Sequence, residues 1–310
     1  MAEDVAQDVA RGASGGVQAG ADPGADPGAD PGADPGAPAG AAGGVSTGAA
    51  EDVTARRRPR RGDVATAPRT AAVWEAVRRV VDDLSQGRQG APLTVVDLGG
   101  GTGGLAVALA GLGHQVTVVD PSADALAALE RRADEAGVAD RVRAVQADAA
   151  ELGDVVAPAS ADLVCCHGVL EYVDDPTAAA QAAAIVLRPG GVLSLLVAQR
   201  SAVVVARALS GRFHEAAHAL HDPAGRWGDA DPLPRRFDAP DVVQLLTAAG
   251  LTPRQLHGVR LFSDLVPEAL LDGEEIRTAL LALEQAAGAH PTQPGLAALA
   301  TQLHVVASRG

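Results

Sequence analysis

The 310-residue chain contains no lysine, and all 25 of its basic residues are arginine. Aromatic residues make up only 2% of the chain, with a single tyrosine. A folded core must therefore be built from valine, leucine and alanine, which are among the residue types most often buried. A domain of about 240 residues is nevertheless long enough to bury a complete doubly wound sheet.

Cysteines and long apolar runs are equally scarce. Cys165 and Cys166 are the only two cysteines, and adjacent residues cannot form a disulfide framework. They lie in a predicted strand, where neighbours point to opposite faces, so we expect two buried, inert thiols. No cysteine and histidine spacing is typical of zinc, and no metal site is expected. Since no apolar run is long enough to span a membrane and no signal-peptide core is present, we expect a cytoplasmic protein without a membrane partner.

The chain has a negative net charge, and its charges are unevenly distributed along the sequence. Of the formal net charge of −14, residues 1–55 carry −8, the arginine-rich hexapeptide 56–61 carries +5, and residues 62–310 carry −11. Residues 1–61 include four ADPG repeats, which favour neither helix nor strand and indicate a disordered tail. Nucleic-acid binding normally needs a positive footprint, and the folded part shows none in bulk.

The most informative motif is the stretch 93–104, LTVVDLGGGTGG. A β-branched run ends at Asp97, a turn containing Gly99, Gly100 and Gly101 follows, and an alanine-rich helix pattern comes next. The following predicted strand also ends at an acidic residue, Asp120. This arrangement is typical of a βαβ unit that binds a nucleoside, because glycines let the backbone approach the ligand and a carboxylate binds ribose hydroxyls.

Two cofactor classes fit this turn at first. Gly99, Gly101 and Gly104 match G-x-G-x-x-G, which suggests a nicotinamide-dependent dehydrogenase. However, Asp97 would repel a pyrophosphate bound at the helix N-terminus. A cationic ligand such as S-adenosylmethionine would instead be attracted, and Asp120 suits bidentate hydrogen bonding to its ribose diol.

Strand and helix patterns alternate through residue 199 and predict an α/β fold. We expect a Rossmann-like doubly wound sheet of seven mostly parallel strands, preceded by a helix over 70–86. The predicted domain covers residues 62–310, with a core at 93–199, a substrate-side insert at about 200–236 and C-terminal strands and helices at 237–310. Within the insert we predict a helix over 201–213. Asp238 and Gly250 are the predicted caps of a later helix.

Taken in combination, VVDLGGGTG, VVD, QADA and LRPGG resemble the class I S-adenosylmethionine-dependent methyltransferases. The segments HGVLEYVDDP, LRPGGVLSLL, VRLFSDL and LHVVASR are similar, further, to the bacterial tRNA 5-carboxymethoxyuridine methyltransferase family. This resemblance implies S-adenosylmethionine as cofactor and a carboxylate on a wobble uridine of tRNA as methyl acceptor. It also implies that the seventh strand inserts antiparallel between the fifth and the sixth.

The resemblance also implies which residues contact the cofactor. By position these are Arg69, Gly99, Gly100, Asp120, Ala149 and His167. Asp148, which follows the third predicted strand, could border the adenine. Arg69 would close over the methionine carboxylate or the substrate, although an ordinary exposed helix arginine fits the sequence equally well.

The sequence departs from that family after the fifth strand. Where the family carries a lysine-rich stretch, residues 214–240 contain only Arg226, Arg235 and Arg236, interleaved with acidic residues. The fold and cofactor therefore transfer better than the tRNA substrate does. A small-molecule carboxyl or hydroxyl methyltransferase is the alternative, and a non-enzymatic cofactor-binding interaction module is a third possibility.

The candidate catalytic residues depend on the acceptor. A carboxylate is already ionised at neutral pH and needs no base, only alignment and a cation, for which Arg200 and Arg260 are candidates. His167 lies where α/β sheets place ligands and would contact the cofactor or position the acceptor. A hydroxyl or amine acceptor would make a base useful, and then His167, Glu171 and Asp264 are candidates. Tyr172 could stack on a planar acceptor or pack against the sheet edge.

Overall fold

The computed structural model describes residues 68–310, with side chains from residue 73 onward except that of Glu268. The predicted disordered tail at 1–61 lies outside the described residues.

The described residues form a seven-stranded sheet in the order β3-β2-β1-β4-β5-β7-β6. All neighbouring pairs are parallel except those of β7, which runs antiparallel between β5 and β6. This topology confirms the predicted doubly wound fold and the position of the seventh strand. The strands are β1 Thr94–Leu98, β2 Gln115–Asp120, β3 Val142–Gln146, β4 Ala161–His167, β5 Leu187–Ala198, β6 Leu251–Val259 and β7 Gln302–Arg309.

Helices cover both faces of the sheet. The helices are α1 Pro68–Gly87, α2 Gly104–Gly111, α3 Ala123–Ala136, α4 Leu152–Val155, α5 Pro176–Val186, α6 Arg200–Leu209, α7 Phe213–His221, α8 Ala239–Ala248, α9 Glu274–Gly288 and α10 Pro294–Leu299. The first of them matches the predicted 70–86 helix, and its valines at helical spacing are buried against the sheet.

Two apolar clusters fill the space between sheet and helices, one on each face. Cys165 belongs to the cluster under α1, α2 and α3, while Cys166 belongs to the opposite one, as the alternation of a strand requires. Both thiols are free and buried, and burial raises the pKa of each above its ordinary value. The prediction of two buried thiols on opposite faces is confirmed.

The substrate-side insert differs from the predicted single helix over 201–213. The helix α6 ends at Leu209, and α7 begins at Phe213. The break falls at Gly211, whose φ of +72° is a left-handed conformation that a continuing helix does not allow.

Asp238 occupies the N-cap position of α8, as predicted, whereas the C-cap is Ala249 and not the predicted Gly250. Asp238 makes no capping bond, because its carboxylate pairs with Arg200 Nε at 2.9 Å. Pro189 to Gly191 lie within β5, where the β4–β5 register shifts so that Ala161 faces Leu187 and Leu163 faces Val192.

The N-terminal ends of three strands are held together by one buried carboxylate. Asp162 of β4 has only 1% of its surface exposed. Its Oδ2 accepts a hydrogen bond from the Thr94 amide of β1 at 2.7 Å. Its Oδ1 lies 2.5 Å from both Arg88 and Arg188, and Arg188 belongs to β5. This cluster fixes the sheet at the edge opposite the predicted ligand site.

We predict that Asp162→Ala lowers the free energy of unfolding by about 2 kcal/mol or more, because it leaves two arginines and the Thr94 amide without their partner. Urea unfolding followed by circular dichroism measures the change. Asp140→Ala is the matched control, since Asp140 is exposed and pairs with Arg141 only at 3.8 Å. Equal effects of the two substitutions would contradict this role for Asp162.

Candidate active site

A cleft of about 590 Å³ opens at the C-terminal ends of the parallel strands. Open α/β sheets place their ligands at this edge. Of the residues predicted to contact the cofactor, Gly99, Asp120, Asp148 and Ala149 line the cleft. The rest of its wall comes mainly from the segment after β4, including Gly168, Val169 and Tyr172, and from Asp174 and Asp175.

The glycine turn between β1 and α2 has a backbone that side chains would obstruct. Gly99 and Gly101 adopt φ values of +69° and +54°. A Cβ at Gly99 would collide with the Val169 side chain, and one at Gly100 would lie 2.5 Å from Asp97 Oδ2. The sequence prediction that these glycines permit close approach is consistent with this crowded geometry.

Asp120, at the end of β2, holds the turn in place. Its Oδ2 accepts a hydrogen bond from the Gly101 amide and its Oδ1 accepts one from the Ser122 amide, both at 2.9 Å. A carboxylate oxygen has two acceptor sites, so each oxygen can still accept a ribose hydroxyl. Sequence reasoning assigned Asp120 to ligand binding alone and missed this bridge, which only the folded turn reveals.

Asp97, at the end of β1, is a buried carboxylate with an unused oxygen. Its exposed fraction is 3%, and Oδ2 has no hydrogen-bond partner among the described residues. Burial, and then the nearby charge of Asp120, raise the pKa of Asp97 from 3.8 to about 7. A buried carboxylate in this state gains a large stabilisation from a bound cation.

Asp148 and Ala149 follow β3 and are held by a local capping arrangement. Asp148 Oδ1 accepts a hydrogen bond from the Ala149 amide at 2.6 Å, and Glu151 Oε2 accepts one from the Asp148 amide at 3.0 Å. This capping box fixes the backbone beside the cleft. A contact to the adenine stays a prediction.

His167 ends β4 immediately before the cleft residues Gly168 and Val169. Its Nε2 lies 2.8 Å from Ser194 Oγ, which lies 2.8 Å from Nε2 of the buried His304. Burial lowers the pKa of His167 to about 4, so the ring is neutral at physiological pH. Sequence reasoning missed Ser194 and His304. The signal for them is weak, a polar residue flanked by apolar neighbours in each strand.

The two predicted acceptor-binding arginines already have partners. Arg200 donates to the backbone carbonyls of Asp222 at 2.5 Å and Pro223 at 3.0 Å in addition to its pair with Asp238. Arg260 pairs with Asp264 at 2.9 Å and adopts a φ of +65°. Neither lines the cleft, so their catalytic roles stay predictions.

Of the other candidate residues, one is buried, one lines the cleft and one has a side chain outside the described residues. Glu171 is buried, its Oε1 accepts a hydrogen bond from the Ala198 amide at 2.7 Å, and burial raises its pKa. Tyr172 lines the cleft with 62% of its surface exposed, which leaves its ring free to stack. Arg69 lies in the first turn of α1, but its side chain is outside the described residues.

Among residues 68–310, no three histidine, cysteine or acidic side chains are grouped so that they could hold a metal ion. In that same range, no helix is both long and apolar enough to cross a membrane.

Comparison of the chain with known proteins shows which family it belongs to. The family model described as a methyltransferase domain matches residues 96–195. The tRNA 5-carboxymethoxyuridine methyltransferase of Escherichia coli K12 is 32% identical over 200 residues, which are 64% of this chain and 74% of that protein. The ubiquinone biosynthesis O-methyltransferase of Xanthomonas euvesicatoria is 39% identical over 119 residues, which are 38% of this chain and 48% of that protein.

Solved structures share the fold. An S-adenosylmethionine-dependent methyltransferase from Mesorhizobium loti has a TM-score of 0.52 at 18% identity, covering 79% of this chain and 100% of that one. Magnesium protoporphyrin IX methyltransferase from Synechocystis PCC 6803, solved with S-adenosylhomocysteine, has a TM-score of 0.50 at 16% identity, covering 78% of this chain and 86% of that one.

The chain therefore belongs to the class I S-adenosylmethionine-dependent methyltransferases, in the family of the tRNA 5-carboxymethoxyuridine methyltransferase. The dehydrogenase and the non-enzymatic alternatives are not retained.

The site described above fits S-adenosylmethionine. The unused oxygen of Asp97 suits the ammonium group, the glycine turn allows the ligand to approach the backbone, and Asp120 retains free acceptor sites for the ribose. No basic side chain of the described residues lines the cleft, which agrees with a cationic rather than a phosphate-bearing ligand.

We predict that the affinity for S-adenosylmethionine falls as the pH drops from 7 to 5.5, by up to about tenfold per pH unit, because protonation of Asp97 removes the charge that binds the ammonium. Asp97→Asn should bind more weakly at pH 7 and lose this pH dependence. Isothermal titration calorimetry measures both. A pH dependence that survives in the Asp97→Asn variant would contradict the assignment.

Asp120→Ala should abolish detectable cofactor binding and also destabilise the protein by about 1–2 kcal/mol, since it leaves the Gly101 and Ser122 amides without an acceptor. Titration calorimetry and urea unfolding measure the two effects separately. Asp124→Ala is the control, because Asp124 is an exposed residue in the first turn of the adjacent α3. Unchanged affinity in the Asp120→Ala variant would overturn the ribose assignment.

Proposed function

We propose that this methyltransferase esterifies a carboxylate carried by a modified uridine of tRNA, 5-carboxymethoxyuridine. The Escherichia coli relative named for that reaction is matched over 74% of its length, which supports the same reaction here. The chemistry of the described site supports a carboxylate acceptor independently of that relative.

The observation that carries the proposal is that each of the three candidate bases has a polar atom engaged by the protein and that, among the described residues, none of the three lines the cleft. His167 is tied to Ser194 and has a pKa lowered to about 4. Glu171 is buried and bonded to the Ala198 amide, and Asp264 is paired with Arg260. A hydroxyl acceptor would need its proton removed, whereas a carboxylate is ionised above about pH 4 and needs no base.

S-adenosylmethionine supplies a methyl group on a positively charged sulfur, which an anionic oxygen can attack in line. The protein then has to bind, orient and desolvate the two reactants, and such positioning can by itself account for a large rate enhancement. The roles proposed for the side chains below are all of this kind.

We assign the adenosine half of the cofactor to the ends of β2 and β3, and its methionine half to the ends of β1 and β4. Asp120 binds the ribose, and Asp148 with Ala149 borders the adenine at the β3 side. Asp97 binds the ammonium of the methionine half, whose carboxylate is the proposed partner of Arg69. Since Asp97 pairs in register with Cys165, His167 lies on the same sheet face as Asp97 and one step nearer the strand end. His167 is thereby assigned to the methionine half, on the acceptor side.

The acceptor is assigned to residues around the mouth of the cleft. The exposed ring of Tyr172 is placed to stack on the uracil base, as aromatic side chains do with unpaired bases of RNA. Of the two candidate cations for the carboxylate, Arg260 is favoured over Arg200. Among the described residues Arg260 has a single ion-pair partner to exchange, whereas the Arg200 guanidinium is held by a carboxylate and two carbonyls.

A small-molecule acceptor is the second candidate, and the charge distribution favours it. Residues 62–310 carry a net charge of −11. The three arginines of residues 214–240 are engaged: Arg226 with carbonyls of its own loop, Arg235 with carbonyls after β4, and Arg236 with the buried Asp231. The similarity to ubiquinone O-methyltransferases over 119 residues also suits a small acceptor.

We predict that deleting the gene removes a methyl ester from the wobble-uridine nucleosides of the host's total tRNA, while the corresponding free carboxylate accumulates. Mass spectrometry of digested tRNA measures both nucleosides. Re-expression of the full chain should restore the ester, and re-expression of the Asp120→Ala variant should not.

The purified full chain provides the second arm of this test. With S-adenosylmethionine it should methylate tRNA from the deletion strain but not tRNA from the parent strain. An unchanged nucleoside profile together with no transfer to either tRNA would reject the tRNA substrate and leave the small-molecule candidate, for which metabolite profiling of the same two strains is the test.

A further inference from the structure

Four polar side chains cross the sheet on the face that α1 covers. They come from four neighbouring strands in spatial order, His167 of β4, Ser194 of β5, His304 of β7 and His257 of β6. Ser194 and His304 are fully buried. His304 is the register partner of His257, and the two rings stack at 26° with centroids 6.3 Å apart. A polar row of this kind within an apolar core calls for an explanation.

The Ser194 hydroxyl couples the protonation of two rings. It lies 2.8 Å from Nε2 of His167 and 2.8 Å from Nε2 of His304. A hydroxyl has one proton to donate, so it can donate to only one of these nitrogens and must accept from the other. If His304 carries its proton on Nε2, Ser194 donates to His167, and the proton of neutral His167 is then on Nδ1. The opposite orientation puts it on Nε2.

The surroundings of His304 decide between these arrangements. Its Nδ1 is buried without a hydrogen-bond partner among the described residues. His304 lines a second cavity, of about 80 Å³, together with His257, Arg79 of α1 and Glu284 of α9. The Glu284 oxygens are directed elsewhere, since they accept hydrogen bonds from the amides of residues 261–263 at 2.6–2.9 Å.

The positive charge of Arg79 favours a lone pair over an N–H at the unpartnered Nδ1 of His304. A buried amide-type N–H without an acceptor is also rarer in proteins than an unused acceptor. Burial, and then the charges of His167, His257 and Arg79, lower the pKa of His304 well below its ordinary value, so the ring stays neutral. Its single proton is therefore placed on Nε2, where it is donated to Ser194.

We infer that Arg79, His304 and Ser194 are positioning residues that fix His167 in the tautomer with its proton on Nδ1. His167 is half-buried, and Nδ1 has no partner among the described residues, so this atom remains to contact a bound molecule. In that tautomer His167 is a neutral hydrogen-bond donor at Nδ1 and cannot accept a proton at this nitrogen.

This assignment deepens the proposed function, on which it rests for the identity of the acceptor. A donor at Nδ1 binds the oxygen of a carboxylate that is not methylated and helps to orient the other oxygen. A hydroxyl acceptor would require the opposite tautomer, with a lone pair facing it. The buried row of polar side chains thus contributes to specificity, because it favours an ionised carboxylate acceptor over a hydroxyl acceptor, which must first lose a proton.

The tautomer is measured directly by ¹⁵N-detected side-chain NMR of the full chain with S-adenosylhomocysteine bound. In the wild-type protein, His167 should show a protonated, pyrrole-like Nδ1 and an unprotonated, pyridine-like Nε2, and His304 should show the reverse. Assignment uses His167→Gln and His304→Gln. The reverse pattern at His167 in the wild-type protein would overturn the inference.

Two pairs of variants test the coupling. Arg79→Gln should lower the ratio of the Nδ1–H to the Nε2–H form of His167 at least several-fold, whereas Arg78→Gln, on the same helix and also exposed, should leave it unchanged. Ser194→Ala should likewise reduce the Nδ1–H population, and Ser308→Ala is its control, because the Ser308 hydroxyl bonds to Arg254 at the other end of β7. An unaltered ratio in both the Arg79→Gln and the Ser194→Ala variants would contradict the coupling.

A kinetic measurement separates this inference from the proposed function. With tRNA from the deletion strain, His304→Gln should raise KM for the acceptor and leave the affinity for S-adenosylmethionine unchanged. Absence of tRNA methylation by the wild-type chain would reject the proposed acceptor but not the NMR result. A wild-type chain that methylates tRNA while His167 carries its proton on Nε2 would reject the positioning role alone.

Discussion

Two carboxylates confined at the ends of adjacent parallel strands are the constraint around which the site is organised. Asp97 is the penultimate residue of β1 and Asp120 is the last residue of β2, and the glycine turn folds across both of them. Asp120 accepts the amide of Gly101, and Asp97 lies so close beneath Gly100 that a methyl group there would collide with it. Burying two acidic groups side by side is unfavourable, and Asp97 responds with a raised pKa. The protein thus maintains a place that a bound cation stabilises.

The acceptor side of the same sheet edge is built on a different principle. Here the polar groups are neutral and hydrogen-bonded to one another, from the half-buried His167 through Ser194 to His304, and the last two are fully buried. Such groups orient a substrate well but exchange protons poorly. The proposed division into an acidic half that binds a cation and a neutral half that donates a hydrogen bond suits transfer of a methyl group to an oxygen that is already ionised. The candidate arginines can then serve the fold of the insert, as Arg200 does.

How far sequence reasoning reached depended on whether a feature was local. The alternation of strand and helix, the acidic strand ends and the glycine turn are local patterns, and they predicted the sheet and the position of the cleft. Asp238 could be placed at a helix start, but its pairing with Arg200 depends on two segments that are remote in sequence. The row from His167 to His257 could not be predicted from the sequence either, because its members lie in four strands that become neighbours only through the sheet topology. The break at Gly211 was in principle readable, because a glycine inside a helical pattern is a known signal for its end.

A crystal structure of the full chain with S-adenosylhomocysteine tests the division of the site most directly. We predict that the amino group of the ligand lies within hydrogen-bond distance of Asp97, that both ribose hydroxyls contact Asp120, and that the methionine half, not the adenine, faces His167. A ligand bound in the cleft with its amino group away from Asp97, or with its adenine against His167, would contradict this division.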